Sequence, residues 1–386
     1  MEYKRVLKNY IDNIEDFFEN FTKKINDFFA NATKNSFRKD IKTRISLYKV
    51  LVSSMAYKNT IKQSITKRRE KLVKRHDKKN IIIKKFTRAG SKEMPFLDNI
   101  NEKLLEGEDF ATATKGWVTD NEQMIMDSGS SGELSKSLIM AQDLLESLNI
   151  MKNTVISAMI YPVILFIVLF AMIFGFSYSI IPILVDLLPV ENWEGSQLVF
   201  YNFCMFFQYN SQYIIMTLFL SFIIIVKTMS KWTGKARKYA DYMIPWSIYK
   251  EFNSGIFLIS FSTLIESGNT PLQALQKLRV QSPKYVKKEI DIMLANINQA
   301  MNPATAINTG FLGEVGDDIE DIAENGDFEK ILKSYGEDAI EKIIASIKKK
   351  AGNLKNLLMI SVVGFLIWGY SAFIMISQNV TKAAGF

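Results

Sequence analysis

The sequence holds one cysteine, Cys204, and one histidine, His76. A lone cysteine excludes an internal disulfide and any cysteine-built metal cluster. A lone histidine excludes, within one chain, most zinc sites, Ser-His-Asp triads and Cys-His dyads. No Gly-x-x-x-x-Gly-Lys-[Ser/Thr] loop is present to cradle the phosphates of a nucleotide, so the chain is not expected to hydrolyse one itself. No alternating apolar and polar run is long enough to argue for a strand. Charge is missing as well, in three long stretches: between Lys152 and Asp186, from Gly195 to Val226, and from Asn356 to Thr381. The chain is therefore expected to have no catalytic residue, no metal site and no cofactor, and not to be an enzyme.

The uncharged stretches require an apolar solvent. A bilayer core needs roughly 20 apolar helical residues, and buried helices of water-soluble proteins are usually shorter and carry a polar face. Three transmembrane helices are predicted, at 153–185, 203–229 and 356–378. The second is wet in its first half, with Gln208, Asn210 and Gln212 following Asn202. Residues 183–209 carry Asp186, Glu191 and Glu194 and no lysine or arginine, whereas the chain before the first span and the loop from Lys227 to Lys355 are rich in both. Positive charge stays cytoplasmic. The N-terminus is thus expected inside, the loop 186–202 outside, 230–355 inside and the tail 379–386 outside. Trp193, Tyr201 and Trp232 fall near the inferred interfaces. No ionisable side chain lies within a span, which argues against a pump or an intramembrane peptidase.

Outside the spans the pattern is helical, giving an all-α membrane protein with two cytoplasmic helical-bundle domains. Residues 1–39 form a leader whose stretch 11–29 is amphipathic: Ile11, Ile14, Phe17, Phe18 and Phe21 lie opposite Asp12, Glu15, Asp16 and Glu19. Such a helix packs on its own domain or a partner, or lies on a membrane, although an acidic face suits anionic lipid poorly. The first cytoplasmic domain is placed at 40–152 and the second at 230–355. The two look like copies. Gly107-Glu-Asp-Phe-Ala-Thr-Ala answers Ala300-Met-Asn-Pro-Ala-Thr-Ala, Gly132-Glu-Leu-Ser-Lys answers Gly326-Asp-Phe-Glu-Lys, and each copy runs through a helix into a span.

With this layout, Leu264-Ile-Glu-Ser-Gly-Asn-Thr-Pro-Leu-Gln-Ala-Leu275, Ser128-Gly-Ser-Ser-Gly-Glu-Leu134 and Ala158-Met-Ile-Tyr-Pro162 make the chain resemble, over residues 45–380, the inner-membrane platform proteins of type IV pilus and type II secretion machines, the PilC/GspF family. It departs from the family's pattern at Ser128-Gly129, where Gly-Glu is usual, at Met55, read against Gly268 of the second copy, and at Leu357-Leu358-Met359, where Glu-Pro is common. The departures suggest a divergent branch of the type IVb kind. The resemblance implies a homo-oligomer in a bacterial inner membrane, engaging a hexameric assembly ATPase from the cytoplasm, receiving pilin or pseudopilin subunits in the membrane, and touching other inner-membrane components of the machine. The competing reading is a membrane-anchored receptor or scaffold that binds signalling partners without coupling to a motor.

Two charged clusters are candidate partner surfaces. Glu314, Asp317, Asp318, Asp321, Glu324 and Asp327 recur at steps of three or four and share a helix face; a solvated face, a contact with a basic partner and, less well matched by the spacing, a calcium site are the readings open. Residues 62–92 are basic, with Arg68, Arg69, Lys74 and Arg75 at their centre. Aromatic interleaving is too sparse for nucleic acid, so membrane lipid, an acidic protein surface or plain solvent is expected there. Gly107, Gly132, Gly268 and Gly326 are read as structural turns between helices. Tyr161-Pro162 is read as a kink in the first span, serving packing, a docking groove or a hinge. Gly175 and Pro182 are further candidate bends.

Overall fold

A backbone that enters lipid must satisfy its own N–H and C=O groups, and a single-segment element does so only as a helix. The computed structural model accords with this; it describes residues 31–77, 92–128, 134–323 and 328–383. Among these residues every regular element is helical. The leader stretch 11–29, the turn residues Gly132 and Gly326, the acids Glu324 and Asp327, and the tail residues 384–386 lie outside them.

One compact unit comprises residues up to Asn149 together with Ile259–Lys277, although the latter falls in the second domain as read from sequence. Its helices are α1 (Ile41–Ala56), α2 (Ile61–Asp77), α3 (Glu93–Leu105), α4 (Phe110–Thr114), α5 (Asp120–Ser128) and the start of α6 (Leu134–Gly175), with residues 31–39 also helical. Asp40 caps α1 by accepting from the Thr43 N–H at 3.2 Å, and Asp109 caps α4 through Thr112, each satisfying a donor that the helix leaves open. Phe37 stacks on Phe96 with centroids 4.4 Å apart, and Trp117 meets both edge-on. Beside this aromatic core lies a buried ion pair. Arg44 Nε donates to Glu122 Oε2 at 3.0 Å, Tyr48 donates to the same oxygen at 2.8 Å, and Thr119 donates through its N–H and its hydroxyl to Glu122 Oε1. Arg44 also donates to the carbonyls of Phe37 and Arg38. Asn121 donates to Ser260 Oγ at 3.1 Å, tying α5 to the returning segment.

Two turns of this unit are built alike. After α1, Lys58 takes φ 60°, Asn59 Nδ2 donates to the Ser54 carbonyl, Thr60 and Gln63 exchange N–H donors and side-chain acceptors, and Lys67 Nζ reaches Asn59 Oδ1 at 2.7 Å. In the second, Gly268 takes φ 88°, Asn269 donates to the Leu264 carbonyl, Thr270 and Gln273 make the same reciprocal box, and Lys277 reaches Asn269 Oδ1 at 2.7 Å. In the geometry of these turns Lys58, and not Met55 as read from sequence, stands where the second has Gly268, and a lysine carries no sign of a left-handed position.

The second unit comprises Ile150–Leu258 and Leu278–Phe386. The membrane-length helices lie within Leu134–Leu187, Ser211–Lys231 and Asp338–Thr381. Helix α6 stays helical through Pro162. The interruption comes instead between Gly175 and Pro182, where a π turn, Phe176–Ile180, precedes α7 (Ile181–Leu187). Pro182 has no N–H to give and crowds the carbonyl one turn back; the widened turn, with Ile181 N–H reaching the Phe176 carbonyl, accommodates it. The second span begins at Ser211. Residues Ser196–Tyr209 form a separate helix, α8, divided from α9 (Ser211–Lys231) at Asn210. At this joint Tyr178 OH donates to the Gln208 carbonyl at 3.2 Å and lies 2.9 Å from Ser211 Oγ, and Asn210 donates to the Phe206 carbonyl.

Helix α8 packs on the first and third spans through Ile173, Ile181, Phe200, Cys204, Phe365 and Ala372. Gly369 permits the closest approach: a Cβ there would lie 2.8 Å from the Phe176 ring and 3.2 Å from that of Phe200. Helix α9, by contrast, buries no side chain. Beyond it come α10 (Lys235–Ala240), α11 (Trp246–Glu266), α12 (Pro271–Gln281), α13 (Lys284–Asn298), α14 (Pro303–Ile307), α15 (Glu314–Ala323) and α16 (Phe328–Ala383), a helix of 56 residues that includes the third span.

Two predictions follow from this packing. Replacing Arg44 with leucine strands the Glu122 carboxylate and is expected to destabilise its unit by about 3–5 kcal/mol. The double replacement with Glu122→Leu is expected to recover most of that loss, read as hydrogen-exchange protection of α1 and α5. In the membrane, Gly369→Val overpacks the Phe176–Phe200 contact, for a loss of about 1–3 kcal/mol. Gly364→Val, where an added Cβ meets nothing within 4 Å, is expected to leave the melting temperature in detergent unchanged.

Candidate functional site

The acidic face read from sequence lies on α15. Its position depends on the loop before it. Gly310 and Gly313 take positive φ, and Gly316 lets that loop close on the helix, since a Cβ there would lie 2.7 Å from Asn308 Oδ1. Asn308 Nδ2 donates to Asp317 Oδ1 at 3.0 Å and to Glu320. Asp318 Oδ2 accepts from Tyr335 OH and Lys342 Nζ, both at 2.7 Å. These hydrogen bonds, that of Lys342 foremost and then that of Tyr335, hold its carboxyl below the usual carboxylate range. The chain's own groups thus answer part of the face, leaving Glu314, Asp317 and Asp321 exposed.

These acids border a cleft of about 990 Å³. Its floor is apolar, formed by Phe311, Leu312 and Ile343, and its walls carry both signs: Asp241, Glu251, Glu314, Asp317 and Asp318 against Lys250, Lys342, Lys349 and Lys350. Glu251 Oε1 accepts from Ser346 Oγ at 2.8 Å and from Lys350 Nζ; its Oε2 is buried without a hydrogen-bond partner. Burial lowers the Lys250 ammonium from its ordinary pKa. Carboxylates, ammonium groups and an apolar floor can hold a charged protein segment. The sequence reading missed the inner wall, because Lys250 and Glu251 lie in α11, far along the chain from the acids they face.

The basic candidates divide. Arg68 donates through Nε and Nη2 to both oxygens of Glu93, at 2.7 and 3.1 Å, and Arg69 Nε meets Asp98 Oδ1 at 2.5 Å. Both brace α2 against α3. Lys74 and Arg75 stay exposed and, with Lys67, Glu70 and Lys71, line a shallow pocket of about 350 Å³. Gly107 and Gly268 occupy left-handed positions at φ 92° and 88°, where a glycine is the easy residue. Ala300, the partner of Gly107 in the sequence match, takes φ 58°. In α6 the Tyr161 side chain is exposed and Pro162 is buried.

Residues 257–376, which include α15 and most of the cleft, match the family model described as type II secretion system (T2SS), protein F. The chain is also 23% identical over 292 residues to the toxin coregulated pilus biosynthesis protein E of Vibrio cholerae serotype O1 (strain ATCC 39315 / El Tor Inaba N16961), covering 74% of this chain and 86% of that protein. The matched residues, the helical architecture and the three membrane-length helices agree, and together they support the type II secretion system protein F family, the PilC/GspF family, as the one this chain resembles.

Proposed function

We propose that this protein couples a cytoplasmic assembly ATPase to the insertion or extraction of pilin-like subunits, as the platform of a type IV pilus of the IVb kind. The observation that carries the proposal is the continuity of α16, whose 56 residues run from beside the charged cleft through the third span without a break. An α-helix of that length is about 84 Å long. A push or tilt applied to its cytoplasmic part is carried into the bilayer, because no loop intervenes to absorb it. Helix α6 has the same character on the first span. The pilus assignment leans on the Vibrio cholerae relative, a toxin coregulated pilus biosynthesis protein.

In this reading the cleft and the exposed acids Glu314, Asp317 and Asp321 receive the cytoplasmic partner, and the membrane helices receive the pilin. The matched turns at Lys58 and Gly268 support two cytoplasmic domains that arose by duplication. The lysine-poor loop 186–202 supports an N-terminus inside and a C-terminus outside.

Co-purification tests the coupling. The full chain in detergent is expected to retain the hexameric assembly ATPase encoded with it, and Asp317→Lys with Asp321→Lys to reduce retention about tenfold while membrane insertion is unchanged; equal retention would remove the acids from the interface. Absence of any ATPase from the native preparation would favour the receptor or scaffold class. A reporter fused after Phe386 is expected to be active only outside the cytoplasm, and a cytoplasmic signal would mean an even number of crossings.

A further inference from the structure

Helix α10 begins four residues after the second span ends at Lys231. It is held from beneath by Arg237, which is 2% exposed. The Arg237 guanidinium donates to Asp241 Oδ1 at 2.8 Å and to the Thr228 carbonyl of α9, and lies 4.3 Å from the centre of the Tyr285 ring. Tyr285 OH donates to the other Asp241 oxygen at 3.0 Å, and Lys288 Nζ reaches the Thr233 carbonyl at 3.0 Å. Trp246 Nε1 lies 3.4 Å from Thr228 Oγ1, and its ring meets Trp232 edge-on at the foot of the span. The segment is therefore fixed to the end of α9.

What it presents outward is unusual for a face in water. Tyr239 is 79% exposed, Tyr242 88% and Met243 63%. Lys227, Lys231, Lys235 and Lys238 are exposed around them, while Asp241, the one acid of the segment, is engaged by Arg237 and Tyr285. Tyrosine rings belong at the headgroup level of a bilayer, and lysines next to a span bind anionic headgroups. Phosphate-bearing lipid fits these lysines, and the span just before them puts the occupant within reach.

We propose that residues 232–246 form an interfacial shelf that inserts Tyr239, Tyr242 and Met243 into the leaflet at the Lys231 end of α9 and binds anionic phospholipid through Lys227, Lys231, Lys235 and Lys238. The shelf fixes the depth of a span that buries none of its side chains within its own chain. Bilayer and protein then meet along a defined line on this side.

The test uses the full chain in nanodiscs. Cys204 is the one cysteine and is buried, so an environment-sensitive fluorophore can be placed by Tyr239→Cys or Tyr242→Cys, with Glu70→Cys on α2 as the water-exposed reference. Each is made both with Cys204 retained and with Cys204→Ala, so that a folding defect of the latter is recognised. Quenching by doxyl-labelled lipid is expected to be about threefold stronger at 239 and 242 than at 70, and to rise about twofold when phosphatidylglycerol replaces part of the phosphatidylcholine. Lys235→Glu with Lys238→Glu is expected to abolish that rise. Labels at 239 and 242 that iodide quenches as strongly as the reference, or lipid quenching indifferent to phosphatidylglycerol, would overturn the shelf.

Discussion

The structure depends on one constraint: a backbone in hydrocarbon must hydrogen-bond to itself. Helices α6 and α16 meet it by never stopping at the water–lipid boundary. A loop at that boundary would be tolerable, since water is at hand, and α9 and α10 show such a loop at Trp232–Gly234. The first and third spans have none. Each is one unbroken helix with a charged stretch and an apolar stretch of membrane length.

Within the membrane the hydrophobic effect does not separate helix from helix, because lipid tails are as apolar as leucine. Packing has to come from shape. Gly369 gives that shape on the third span, and the π turn at Phe176–Ile180 turns the Phe176 ring against it. Helix α8 completes the cluster with Phe200 and Cys204. Of the polar side chains that made this stretch read as wet, Asn210 donates to the Phe206 carbonyl, while Gln208 Oε1 is buried without a hydrogen-bond partner. The second span begins beyond Asn210, outside this cluster, and buries none of its side chains within the chain.

Much of this was legible in sequence for a simple reason. Missing charge is a strong signal over twenty residues, so the three spans could be read from Lys152, Asp186, Val226 and Asn356. What sequence did not show were partners distant along the chain. Arg68 and Arg69 look like surface cations until α3 brings Glu93 and Asp98 to them. Asp318 looks like part of an acidic patch until Lys342 arrives from α16. The break at Asn210, inside the stretch 203–229 read as one helix, was not legible because apolar composition does not reveal a one-residue interruption. Pro162, read as a kink, lies within an unbroken helix, and the helix widens between Gly175 and Pro182, the two residues read as further bends.

Lys58 shows how a turn can form without the glycine that a similar turn uses. A left-handed backbone costs a non-glycine residue roughly 1–2 kcal/mol, and the turn after α1 bears that cost. The same turn is bound by Asn59 to the Ser54 carbonyl, by the Thr60–Gln63 box and by Lys67 to Asn59, bonds worth about 0.5–1.5 kcal/mol each. Together they over-determine the geometry, so glycine is helpful at position 268 and dispensable at position 58. The identity that endures is the Asn-Thr-x-x-Gln frame with its lysine, because each of those side chains satisfies a specific backbone or side-chain group. A turn recognised by glycine alone would be missed in one half of this chain and found in the other; a turn recognised by its hydrogen-bond donors and acceptors is found in both.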